Sequence, residues 1–117
     1  MKKIRTIKFF KSYFMDFYIS LPKNVRDKIN YSLYMVETQL VIPTKFFKQI
    51  KASNGLFEIR TEFAGNIYRI FCCMDSGSIV ILFNGFQKKT QKTPKNEIEI
   101  AERLKEEYFK SKENWLW

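Results

Sequence analysis

Histidine is absent from this 117-residue chain, and cysteine occurs only as the adjacent pair Cys72 and Cys73. Two cysteines without a histidine or a further thiol do not supply the four ligands of a structural zinc site. Neighbours on a strand point to opposite faces, so the pair is not expected to bridge to itself. Both read as small core hydrophobes, and a cytoplasmic, reducing setting is the natural expectation. Glycine and proline number four and three, which leaves little room for flexible linkers. No apolar run approaches the roughly 20 residues that span a bilayer. The start, MKKIRTIKFF, has an apolar stretch too short and too interrupted by lysine for a signal peptide. No membrane partner, metal or other cofactor is therefore expected. Acidic side chains are also in short supply, 12 against 21 Lys and Arg, for a net charge of +9.

What is present fits a single folded domain over 1–117, with 111–117 a candidate flexible tail. Hydrophobic residues reach 45%, and the twelve Phe lift the aromatic share to 17%, enough for one dense core. The positive charge is unevenly spread. Residues 1–93 hold 16 of the 21 basic side chains and 6 of the 12 acids, whereas 94–117 are close to neutral. The field thus belongs to the body of the chain. It suits a polyanionic partner (nucleic acid, an anionic surface or an acidic protein), or it is a solvated basic surface with no further role.

In chain order, KIRTIKFF alternates well enough for a short strand at a sheet edge, its lysines discouraging unwanted pairing. Tyr13, Phe14, Phe17, Tyr18 and Leu21 recur at helical spacing. Pro22 suits the first turn of a second helix, where Val25, Ile29, Leu33, Val36 and Leu40 make one apolar stripe. The two form a helical hairpin on one sheet face. TKFFKQIKASN reads as a connection, with Phe46, Phe47 and Ile50 tucked under the sheet and Lys45, Lys48 and Lys51 spaced by three. Those lysines line an RNA path or a solvated face.

A hairpin follows. Phe57, Ile59 and Thr61 alternate with Glu58, Arg60 and Glu62, and Tyr68, Ile70 and Cys72 alternate with Ile67, Arg69 and Phe71. Pairing Glu62 with Ile67 gathers nearly all the apolar residues on one face, and a slip of one residue would scatter them. That register sets Arg60 directly across from Arg69. Like charges so placed repel. Either Glu58 and Glu62 compensate them in a surface ion lattice, or the two planar forks make an open anion site. After the turn at Asp75–Gly77, SIVILFNGF is apolar on both faces, as a central strand covered on both sides would be. The basic run QKKTQKTP leads to a last helix, with Thr93 as its N-cap and Pro94 in its first turn. Ile98, Ala101, Leu104 and Tyr108 form its stripe.

The runs Gly-Leu-Phe-Glu-Ile-Arg from Gly55, Gly-Asn-Ile-Tyr-Arg-Ile from Gly65 and Gly-Phe-Gln-Lys-Lys-Thr from Gly85 stand in an order and spacing that resembles the RelE/HigB superfamily of toxin–antitoxin toxins, in particular its HigB-like, phage-derived branch. The resemblance covers roughly residues 3–110. It implies an α+β fold: a small twisted, mostly antiparallel sheet backed by an N-terminal helical hairpin, with a C-terminal helix at the sheet edge. It further implies a ribosome-dependent mRNA endonuclease that needs no metal and inhibits translation, held by a cognate antitoxin of helix-turn-helix type. Arg69 matches the arginine the family places on the scissile phosphate, and Arg60 a basic position on the preceding strand. Where relatives carry a His before Gly-Phe this chain has Asn84, and where some carry a Tyr at the start of the last helix it has Ile98. Two other readings accompany it: a ParE-like, non-enzymatic inhibitor of DNA gyrase, and an inactive relative that binds only antitoxin or operator DNA.

Cleavage by a neighbouring 2′-hydroxyl needs a base, support for charge on the phosphate, and an acid for the leaving oxygen. Arg69, Arg60, Lys89 and Glu58 are the catalytic candidates. Lys88, Lys92, Asn84, Lys48 and Lys51 are the candidate RNA contacts. The base is either a lysine whose pKa is lowered by crowding among cations or Glu58, which shares the arginines' face. Replacing Arg69 by Ala is expected to abolish activity with the fold intact.

Overall fold

The computed structural model describes residues 2–89 and 94–115. Its sheet is built outward from the hairpin of β3 (Phe57–Phe63) and β4 (Asn66–Asp75). Only Ala64 and Gly65 connect them, at φ of +52° and +80°. A two-residue turn with both φ positive matches the right-handed twist of its strands, and glycine adopts that conformation at no steric cost. The register is the one the alternation demands: Glu62 faces Ile67, Arg60 faces Arg69 and Glu58 faces Phe71.

β5 (Ile79–Lys88) runs antiparallel to β4. β1 (Thr6–Phe9) adds to β5 in parallel at one edge, and β2 (Phe47–Gln49) adds antiparallel to β3 at the other. The order across the sheet is β1-β5-β4-β3-β2. Against one face lie α1 (Tyr13–Ile19) and α2 (Lys23–Thr38), whose Phe14, Val25, Ile29 and Val36 pack on Ile59, Ile70, Val80 and Leu82. Against the other lies α3 (Lys95–Trp115), whose Ala101 and Leu104 pack on Leu56, Phe71, Ile81 and Phe83. Cys72 and Cys73, both free, fall in these opposite cores. β5 is buried on both faces from Val80 to Asn84, as its continuous apolar run implies. The fold is therefore α+β, with a mostly antiparallel open sheet. Among the described residues no helix is long and apolar enough to cross a membrane.

Several expectations change. α3 does not lie at the sheet edge; its apolar stripe crosses the face of β4 and β5. α2 stops at Thr38, which leaves Leu40 81% exposed and outside the stripe. Arg5 closes that helix end, donating to the carbonyls of Val36, Gln39 and Leu40 at 3.0, 2.6 and 3.0 Å. Pro22 is the N-cap of α2 rather than a first-turn residue. The connection before the hairpin contains β2, with Phe47 stacked on Phe57 at 5.0 Å. Phe47 packs toward α1 and α2, while Ile50 joins the α3 side. Gly85 is required by packing: a Cβ there would overlap the Phe17 ring of α1. The N-cap expected at Thr93 lies outside the described residues; α3 starts one residue after Pro94, whose carbonyl accepts from the backbone N–H groups of Glu97 and Ile98.

Candidate anion-binding site on the open sheet face

Three cross-strand rows on the α3 side of the sheet carry the chemistry. Lys48, Glu58 and Phe71 make the first; Arg60, Arg69 and Phe86 the second; Glu62, Ile67 and Lys88 the third. α3 covers Phe71 and Phe86 and leaves the outer parts of the rows open. Lys88 belongs here only because of a bulge. The pairing of β4 with β5 shifts between Ile70 and Cys72, so that β5 spends an extra residue near Phe83 and Asn84. Strict alternation from Ile81 and Phe83 would turn Lys88 to the opposite face. The bulge restores Phe86 and Lys88 to the side of Arg69, the re-aiming that bulges beside functional surfaces perform.

The two facing arginines divide the acids between them. Arg69 Nη1 lies 2.6 Å from Glu58 Oε2, with the side chains only 5% and 2% exposed. Arg60 Nη2 binds Glu62 Oε1 at 2.7 Å near the surface. Lys48 Nζ stands 3.9 Å from the other Glu58 oxygen and is half exposed. The ion lattice is thus real, and it is not neutral: Lys48, Arg60, Arg69 and Lys88 outnumber Glu58 and Glu62. Lys88 responds to this excess. Its pKa is held below the usual lysine value, first by burial and then by the Arg69 charge, with Arg60 and Lys48 adding and Glu58 opposing. Chemically the arrangement offers a preorganised guanidinium, a second one at the rim, and an amine with a lowered proton affinity.

The remaining candidates are placed elsewhere. Asn84 is buried and donates its amide to the Glu97 carbonyl at 3.1 Å and to Glu97 Oε1 at 3.0 Å, joining the bulge to the first turn of α3. Lys89 is exposed one residue past β5, where alternation assigns it the side away from Lys88. Lys51 is exposed in the turn after β2, and Lys45 lines a cleft on the α2 side, so the lysines spaced by three do not share a line. Lys92 lies outside the described residues. Glu58, named as a base, is sealed beneath the cluster. Sequence reasoning missed the bulge and with it the grouping of Phe86 and Lys88 with Arg69. The available signal was the three-residue spacing of Phe83 and Phe86 within one strand.

Among the described residues no group of His, Cys, Asp or Glu converges on a metal-sized site. The model of the phage-derived Gp49-like protein family (DUF891) matches residues 16–106, well over half of the chain. The chain belongs to the Gp49-like family. No curated protein matches it. The Gp49-like span runs from α1 into α3 and includes every residue of the cluster.

Proposed function

We propose that this Gp49-like chain is the toxin of a type II toxin–antitoxin pair: a HigB-like, metal-independent endoribonuclease that cuts mRNA on the ribosome and so stops translation. A helix-turn-helix antitoxin is the partner that holds it in check. The observation that carries this reading is a cationic excess: Lys48, Arg60 and Lys88 reach the open outer part of the sheet face, and the buried Arg69 is locked just beneath them by a buried carboxylate. The family resemblance adds the substrate and the partner.

In the reaction, Lys88, once it has given up its own proton, takes that of the 2′-hydroxyl, and the oxygen attacks the adjacent phosphorus. The bond to the 5′-oxygen breaks, leaving a 2′,3′-cyclic phosphate and, after protonation by a neighbouring ammonium such as Lys48, a 5′-hydroxyl. Arg69 and Arg60 hold the charge that grows on the phosphate oxygens. Glu58 fixes the Arg69 fork before substrate arrives, so no reorganisation is needed during the step. Lys88 suits the base by position, beside both arginines, and burial together with the Arg69 charge holds its pKa below the usual lysine value.

The burial of Glu58 changes the diagnostic variant. Arg69→Ala would strand a buried carboxylate and damage the fold together with the site. Arg69→Lys keeps a charge for Glu58 and removes the planar fork. Brief induced expression with separate pulse-labelling of protein and DNA synthesis is the test. Wild type should stop translation first with transcripts cut, and Arg69→Lys should lose roughly 10²–10³ in cleavage rate. Loss of DNA synthesis with intact mRNA would replace this reading with gyrase inhibition. Neither effect, from folded protein, would leave a binding module.

A further inference from the structure

Past the end of β2, a cavity of about 170 Å³ opens between α2 and the edge of β3, and there Thr61 of the α2 side and Arg60 and Glu62 of the other both border it. That is below the ~300 Å³ at which small-molecule sites begin, so it has room for one flat ring system rather than a whole nucleotide. Two aromatic rings frame it, Tyr31 of α2 and Phe46 just before β2, inclined at 68° with centroids 5.8 Å apart. Such a pair offers one ring face for stacking and a second ring as a side wall. Tyr31 is 51% exposed on the outer side of α2. The floor is polar and closed: the buried Ser32 and Thr61 hydroxyls bond to each other at 2.7 Å.

Charge at the rim is positive. Lys28, Lys45 and Arg60 line the cavity with Glu62 as the one acid, and Lys45 Nζ lies 5.3 Å from the centre of the Phe46 ring. Glu62 is already engaged by Arg60. The Arg60 Nε is buried and has no hydrogen-bond partner among the described residues. Arg60 also faces Arg69 across the hairpin, so it joins the cavity to the phosphate site.

We propose that this cleft is a nucleobase pocket for single-stranded RNA, taking a base next to the nucleotide whose phosphate Arg69 engages. The inference rests on the RNase reading for its ligand class. The base stacks on Tyr31 against the Phe46 wall, its sugar–phosphate is held by Lys28 and Lys45, and Arg60 spans the two sites. Stacking tolerates any base, which suits a pocket whose closed hydroxyl pair presents few free groups for reading base edges.

The test uses a short fluorescein-labelled RNA with 2′-O-methyl sugars, which cannot be cut, and an abasic oligomer of the same length, each titrated by anisotropy at low salt. Wild type should bind the base-bearing strand more tightly. Tyr31→Leu and Phe46→Leu should each weaken that binding by roughly tenfold, the scale of one lost base–aromatic stack, and leave the abasic strand unchanged. Tyr31 is half exposed on a helix surface, so its variant should melt near wild type. Equal weakening on both strands would overturn the base pocket. So would unchanged affinity in both variants; if Arg69→Lys then lost binding, the RNase reading would survive alone. No binding of either strand by wild type would overturn the pocket, while the pulse-labelling above decides the RNase reading separately.

Discussion

At the scale of single residues, the decisive pair is Glu58 and Arg69. Each is almost fully buried, and their charged atoms meet at 2.6 Å. A buried ion pair adds little net stability, because desolvation offsets the Coulomb attraction, but removing one partner leaves an uncompensated charge at a cost of about 3–5 kcal/mol. Glu58→Ala should therefore lower the melting temperature by roughly 10–20 °C for a chain of this size. Adding Arg69→Met to Glu58→Leu should recover most of that loss without recovering activity. Thermal unfolding followed by circular dichroism measures both, and a Glu58→Ala protein melting within a few degrees of wild type would show that the pair carries no such strain. Sequence alternation was enough to place Arg60 opposite Arg69. It was silent on which arginine would hold Glu58, because both share its face and strand parity does not choose between them.

At the scale of elements, α3 is the lid that sets the limit of the open face, and it is fastened at both ends. Its first turn is held by Asn84. Toward its other end, Tyr108 Oη and Lys112 Nζ both donate to Asp75 Oδ2 at 2.6 Å. Those donors, Lys112 first, hold the Asp75 pKa below its ordinary value. A carboxyl with a depressed folded-state pKa contributes stability that is complete above its unfolded pKa, about 3.9, and is lost as pH falls through the lower folded value. Hydrogen exchange in the last turns of α3 should therefore accelerate below about pH 4 more than exchange in β4. Asp75→Asn should bring that faster exchange to neutral pH, at a cost of roughly 1–3 kcal/mol, and flatten its acid dependence. Equal acid dependence in the variant would mean that another carboxylate governs the helix. The elements differed in legibility for physical reasons. The hairpin was readable because its alternation is clean and one register alone segregates polar from apolar. β2 was not, since three residues beside Phe46 carry too little pattern to separate a strand from a loop. The stripe of α3 (Ile98, Ala101, Leu104, Tyr108) announced a buried side without saying what it packs on. The bulge was hidden because a strand apolar on both faces conceals a slip of one residue.

For the molecule as a whole, the net charge of +9 raises the question whether the RNA binding proposed above would rest on a diffuse field or on a built site. The two differ in how affinity responds to salt. Each phosphate neutralised on a single strand contributes about −0.7 to the slope of log affinity against log salt. Three cations, Lys48, Arg60 and Lys88, reach the open face above the buried Arg69, and Glu58 and Glu62 already compensate part of the charge of the four. Two to four phosphate contacts are therefore expected, giving a slope between about −1.4 and −2.8. Arg60→Ala should reduce its magnitude by roughly 0.7. Lys110, 70% exposed on α3 and paired with Glu106 at 2.9 Å, carries the same formal charge at a distance from the rows. Lys110→Ala should leave the slope where it was. If both variants shift it equally, the attraction belongs to the overall field, and the ordered rows around Arg69 have no special hold on the strand. A wild-type slope near zero would remove the phosphate-binding role of the open face altogether. Anisotropy titrations of the uncleavable strand over a range of potassium chloride concentrations distinguish these cases, because the slope counts local contacts whatever the total charge of the chain.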